Sequence, residues 1–400
     1  MNYLTVLVLF FSVTVHAEAD NFSRLTADFS PGFSPDTSQT EGGLWMIMTD
    51  FEETAKNSPS RINDEGLNAY IKSVICKLSE QYCNDIRLHI IRKPFFNATM
   101  APNGMMQVWS GLLLRMRNEA QLATVLGHEI GHYLKKHSLK NFNDQITKST
   151  ILTFFSLGIA GSVAAGGVNA DVGRAAVDVA QFGVIASLFA HNRDSEKEAD
   201  KYAIQLLNDA KLDINEAPKI WKNLIEENEA GDEDVSSGIV FFSTHPDPGE
   251  RITKLENHIQ GIGKLEDTYS DNNHDEYWDN VGPFMSTFLE DELKLRQFDQ
   301  TEYLLKHLIS DNIKPAMTYY FLGELYRLRK KEGDRTLSLF NYNKSIEIDN
   351  HPAEAHRSIG LIYYKDKNNE MAKQHFNKYL ELMPEANDKE MIEFYINFGA

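Results

Sequence analysis

The chain has 400 residues, and its 40 Lys and Arg against 58 Asp and Glu leave a formal net charge of −18. That acidic balance argues against a nucleic-acid partner and against loose adhesion to anionic lipid. A hydrophobic content of 42% excludes wholesale disorder, and two cysteines are too few for a disulfide-built scaffold.

Leu4 to Val15 is an unbroken apolar and small run, and Val15 and Ala17 suit cleavage before Glu18. Residues 1–17 therefore read as a signal peptide, although Met1-Asn2-Tyr3 lacks the usual basic residue; a buried N-terminal helix is the alternative. A signal implies export, and disulfides become permissible. Residues 18–43, rich in Ser, Thr, Pro and Gly, read as an extended arm.

A folded domain is expected over 44–262. Apolar spacing predicts helix from Leu44 to Leu78, and Ile86 to Ile91 reads as a strand. Asn97 to Gly104 ends in a Pro-Asn-Gly turn, and Met105 to Trp109 follows as a second strand, either the edge of a cleft or buried. Asn118 and Gln121 resemble a capping box that opens a helix running to Leu134. Ile151 to Val168 and Ala175 to Ala190 are apolar and rich in Ala and Gly. They suit two buried or lipid-touching helices; a transmembrane hairpin is the alternative. Ser195 with Glu198 reads as another capping box, before a helix from Glu196 to Leu207.

Residues 263–283 are acidic and read as a linker, and 284–400 as a helical domain. That domain holds a repeat: Leu322-Gly323…Tyr326 recurs as Ile359-Gly360…Tyr363, followed by Ala372, Phe376 and Pro384 at tetratricopeptide spacing. The offset of 37 residues exceeds the usual period of about 34, which places a short insertion near Lys330 to Asp334. Leu289 to Leu308 fits a degenerate earlier unit, and a generic helical bundle is the alternative.

The chemistry centres on Gly127-His128-Glu129-Ile130-Gly131-His132. Histidines four apart share a helix face, so both imidazoles reach one metal, and Glu129 reaches a water beside it. One Zn2+ per chain is expected, with Glu129 as general base for peptide hydrolysis. A third protein ligand is needed, and Glu196, 64 residues past His132 on a second expected helix, is the best candidate. Asp200 shares its face and suits an orienting or proton-sharing role, whereas Glu198 reads as a solvated charge.

These motifs resemble the CAAX-prenyl-protease-type zinc metallopeptidases. The similarity extends to Ser243-Thr244-His245-Pro246…Arg251-Ile252, to Asn97-Ala98…Pro102-Asn103-Gly104, and to Val108-Trp109-Ser110-Gly111-Leu112-Leu113. The resemblance implies a mainly α, zincin-type (gluzincin) fold with a small sheet. It implies His128, His132 and Glu196 as zinc ligands, Glu129 as base and Asp200 as a second acidic catalytic residue. With a signal and repeats, the chain resembles exported, repeat-bearing members. That implies a periplasmic location, unfolded or misassembled outer-membrane proteins as substrates, and assembly machinery as partner of the repeats. Peripheral membrane contact is left open. A chaperone or scaffold with a mostly latent peptidase site is the rival.

Two residue sets remain. Cys76 and Cys83 flank an expected helix end, and export with an even cysteine count predicts a disulfide; two free thiols in a continuous helix are the alternative. His245 stands in a loop with Pro246 and Pro248. It would plug the open metal position, donate to the oxyanion, or simply pack the loop.

Overall fold

The computed structural model describes residues 24–145, 191–231, 241, 245, 248–262 and 272–398. The signal-like segment, both apolar stretches within 151–190 and the acidic residues 263–271 lie outside the described residues. The fold is mainly helical with one small sheet.

The arm is extended from Arg24 onward, but it is tied down. Asp28 N–H donates to Leu134 C=O at 2.8 Å, and Gln205 holds the Leu25 backbone on both sides. It ends where α1 (Thr40–Lys56) begins. The helical run expected from Leu44 to Leu78 is two helices, because Pro59 falls between α1 and α2 (Glu65–Leu78). Asp64 caps α2 by accepting from Leu67 N–H at 2.9 Å. The helix stops at Leu78, and the chain turns to bring Cys83 back to Cys76 with a Cα–Cα separation of 4.7 Å. The helix is therefore not continuous through Cys83.

The sheet contains β1 (Arg87–Ile91), β2 (Ala98–Met100) and β3 (Met105–Trp109) in the order β1-β3-β2. β1 runs parallel to β3, and β2 antiparallel to it, with Thr99 opposite Gln107. This corrects the cleft-edge reading of Met105 to Trp109, which is the central strand. β1 and β2 are the edges, and β2 lies within a segment read only as a turn. Gly104 makes that turn at φ +88°, where an added Cβ would strike Asp85 O at 2.2 Å.

Next come α3 (Ser110–Arg115), α4 (Glu119–Leu134), α5 (His137–Gln145), α6 (Arg193–Asp209), α7 (Ala217–Glu229) and α8 (Pro248–Ile262). Residues 274–281, assigned to a linker, are helix α9 (His274–Val281). Tyr277 and Trp278 are buried there, and Trp278 Nε1 donates to Arg117 C=O at 3.1 Å. Acidic composition hid this, because only the inward face of a short helix is apolar.

The later helices are α10 (Met285–Lys294), α11 (Phe298–Ser310), α12 (Pro315–Arg329), α13 (Asp334–Ile346), α14 (Ala353–Lys365), α15 (Asn369–Leu382) and α16 (Lys389–Phe398). One apolar cluster runs without a break from Leu67 to Tyr326, so α10 to α12 share the core of the N-terminal half. Beyond it α12 packs on α13 and α14 on α15. A Cβ on Gly323 would meet the Tyr342 ring at 2.5 Å, and one on Gly360 the Phe376 ring at 2.6 Å. The first pair is 19 residues apart and the second 16, so the three extra residues of the first copy fall between Gly323 and Tyr342. Among the described residues no helix is long and apolar enough to cross a membrane.

Candidate metal centre

Small residues set the site. α4 and α6 cross closely because Gly127 and Gly131 face Ala203 and Ala199. A Cβ on Gly131 would lie 2.9 Å from Tyr202 Cβ and 3.2 Å from Ala199 Cα. Any larger residue at 131 would push α6, and with it Glu196, away from the imidazoles. The α4 cap is as expected, with Asn118 accepting from Gln121 N–H at 2.9 Å. The α6 cap is not Ser195 but Asn192, which accepts from Asp194 N–H at 3.1 Å and Ser195 N–H at 2.9 Å. Asn is as good a cap as Ser, and the helix begins one turn earlier.

His128, His132, Glu196 and His245 each place a ligand atom within 4.8 Å of the others, and all four are buried. His132 Nε2 lies 3.2 Å from Glu196 Oε1, and His128 Nε2 3.5 Å from Glu196 Oε2. His245 Nδ1 is 3.0 Å from Glu196 Oε1, and its Nε2 is 3.5 Å from Glu129 Oε1. Among the described residues Glu129 Oε1 and Glu196 Oε2 have no hydrogen-bond partner. Buried carboxylate oxygens are costly unless something satisfies them, and imidazole nitrogens beside them complete the donor set of a divalent cation. The residues fit a metal.

Burial holds the His128 imidazole down to about 4, helped by Arg251, so it is neutral and ligand-competent at pH 7. Burial also raises the Glu129 carboxyl to about 7; His245 opposes that rise and Glu196 adds to it. The backbone N–H of Met100, on the edge strand β2, acts against that rise.

Two outer chains hold the imidazoles. Asp200 Oδ1 lies 2.9 Å from His128 Nδ1, and Arg251 grips the same carboxylate with Nη2 at 2.5 Å and Nε at 3.0 Å. Burial alone would raise the Asp200 carboxyl, but Arg251 and His128 outweigh it and hold it below its ordinary value. Asp200 thus presents a carboxylate, held below its ordinary value, to the far nitrogen of His128. His132 Nδ1 meets His137 Nδ1 at 2.9 Å, and His137 Nε2 meets Glu198 Oε2 at 3.1 Å. Glu198, read as solvated, in fact pairs with both His137 and Lys135. His191 stacks on His132 with centroids 3.7 Å apart. Arg251 had a signal in the sequence, as part of the motif after His245. His137 and His191 had none, because no spacing rule marks a residue that supports a ligand from across a turn.

A helix carrying His-Glu-x-x-His, joined by a glutamate from a second helix, defines a metallopeptidase centre of the gluzincin kind. Residues 62–259 match the profile of Peptidase family M48, and this part of the chain is a member of that family. Among similar proteins, one of Vibrio cholerae, named provisionally as a beta-barrel assembly-enhancing protease, is 30% identical over 202 residues, 50% of this chain and 40% of that one. The mitochondrial metalloendopeptidase OMA1 of Schizosaccharomyces pombe is 30% identical over 171 residues, 42% of this chain and 45% of its own. The beta-barrel assembly-enhancing protease of Escherichia coli K12 is 27% identical over 258 residues, 63% and 51% respectively. The chain thus spans about half the length of the curated relatives it matches.

Proposed function

We propose that the protein is an exported, zinc-dependent endopeptidase that cleaves unfolded or misassembled envelope proteins, with its C-terminal tetratricopeptide-like hairpins holding client or assembly machinery. The observation that carries this is the convergence of His128, His132 and Glu196 beside an unsatisfied Glu129 carboxylate. The two histidines and Glu196 hold the ion, and zinc held there supplies Lewis acidity that polarises water and the scissile carbonyl. Glu129 takes a proton from the attacking water as its oxygen bonds to the carbonyl carbon. When the C–N bond breaks, Glu129 returns that proton to the leaving nitrogen. The Glu129 carboxyl near 7 suits both halves of the transfer.

An extended client adds to β2, the edge strand whose Met100 backbone lies near enough to influence Glu129. Strand addition reads main chain, which suits unfolded clients of varied sequence. His245 rests between Glu196 and Glu129, where it holds the site closed until a client displaces it. A disulfide between Cys76 and Cys83 and a periplasmic location belong to the same reading.

The test incubates the zinc-loaded protein with an unfolded outer-membrane β-barrel protein. Cleavage is expected, faster with His245→Ala and absent with Glu129→Gln. Slower cleavage by His245→Ala would instead make His245 an oxyanion donor. No cleavage by the wild-type protein or by His245→Ala overturns the peptidase reading in favour of a scaffold.

A further inference from the structure

The outer hairpin of α14 and α15 carries three histidines that the peptidase does not use. His356 on α14 and His375 on α15 bring their Nδ1 atoms within 2.9 Å of each other. His351, just ahead of α14, lies with its ring centroid 5.2 Å from that of His356, the same 5.2 Å that separates His356 from His375. Two imidazoles that share a tetrahedral zinc through bonds of about 2.0–2.1 Å have centroids roughly 5 Å apart and nitrogens roughly 3.3 Å apart. Both ring separations fit, and the nitrogen pair needs only to open slightly.

The hydrogen bonding of His351 also favours a ligand. Its Nδ1 lies 2.9 Å from Ile348 C=O, and a carbonyl only accepts, so Nδ1 carries the proton. Its Nε2 is then a bare lone pair, buried and without a hydrogen-bond partner among the described residues. A metal-bound histidine characteristically donates its other ring nitrogen to a carbonyl or carboxylate. Among the described residues only the quartet of the peptidase centre has every ligand atom within 4.8 Å of the others. His351 must therefore turn its ring for Nε2 to join the pair, and keeps its Ile348 hydrogen bond only if the loop ahead of α14 moves with it.

We propose that His351, His356 and His375 form a second metal site, taking one borderline divalent transition-metal ion such as zinc. The ion staples α15 to α14 and fixes the loop ahead of α14. The proton now shared between the two Nδ1 atoms moves to an Nε2 as the ion enters, so both histidines bind as neutral imidazoles.

The test counts zinc bound per full-length chain after dialysis against a zinc buffer. His132→Ala, which breaks the peptidase centre, should retain one equivalent, and His132→Ala with His375→Ala should bind none. His132→Ala without bound zinc overturns the proposal, as does an equivalent that persists in the double variant. Should loss of His375 unfold the hairpin, His351→Ala lies outside the helices and probes the same site. In a His132→Ala background it should weaken zinc binding by more than about 100-fold, beyond what loss of an outer hydrogen-bond partner causes. Unchanged affinity there overturns the three-histidine site.

Discussion

Two buried charge clusters lie in one core and differ in one respect. At the junction of α3, α7 and α10, Arg115 meets Glu227 and Glu292, and each of its five N–H donors has an acceptor: Glu227 for Nε, Gly111 C=O and Glu292 for Nη1, and both glutamates for Nη2. At the metal centre Glu129 Oε1 has no hydrogen-bond partner among the described residues, and Glu196 Oε2 keeps only long ion pairs, to Arg251 Nη1 at 3.4 Å and His128 Nε2 at 3.5 Å. Glu292 is as deeply buried as the carboxylates of the metal centre, while Arg115 is slightly more exposed. The satisfied cluster fastens helices together, and the other leaves carboxylate oxygens and imidazole nitrogens that could take an ion. Incomplete hydrogen bonding at full burial therefore marks function, whereas charge and burial alone do not.

The sharpest test of that contrast exchanges the readouts. Glu129→Gln should lower proteolysis by about 10²–10⁴-fold, the range for loss of a positioned base, with an unchanged or raised melting temperature. A clear fall in melting temperature would mean that Glu129 is structural and would break the comparison. Arg115→Ala should do the reverse. It strands two buried carboxylates and should cost about 3–5 kcal/mol of stability in denaturant titration, while activity per folded molecule holds. Loss of specific activity with stability intact would show that the junction also serves catalysis.

Asp200→Asn tests the border between the clusters, since Asp200 is satisfied by Arg251 yet faces His128. Metal affinity, read by competition with a chelator, should fall about 10–100-fold. No change would place Asp200 wholly with the structural group. Gly131→Ala should have the smallest effect, about 1–3 kcal/mol of stability from overpacking against Tyr202 and Ala199. It should also weaken metal binding, because α6 carries Glu196. Full affinity in that variant would show that α6 shifts without carrying the ligand away.

The ligands were legible because a helix imposes its period on the sequence. His128 and His132 share a face by spacing alone, and Glu196 was found as the acid on the next amphipathic helix. What was hidden depends on contacts between segments far apart in sequence. His137 acts through another side chain, and Asn192 caps α6 from a position where Ser195 looked equally apt. Strand β2 is only three residues long, and its pairing with β3 made an edge of a segment that read as a turn. Acidic composition passed for a linker at α9, where two aromatic residues out of eight decide that the helix is buried.

The apolar cluster from Leu67 to Tyr326 has a consequence for how the chain can be divided. A cut at residue 283 would bare Tyr277, Trp278 and the faces that α10 to α12 cover, so the catalytic half is no module that can be lifted out. α4 and α11 should gain and lose their amide protection against deuterium exchange together, as one cooperative unit. The outer hairpins, with separate small cores around Tyr342 and Phe376, can open first without exposing the residues of the candidate metal centre. The same continuity makes α12 rigid with the catalytic helix α4, since both bury residues in that one cluster.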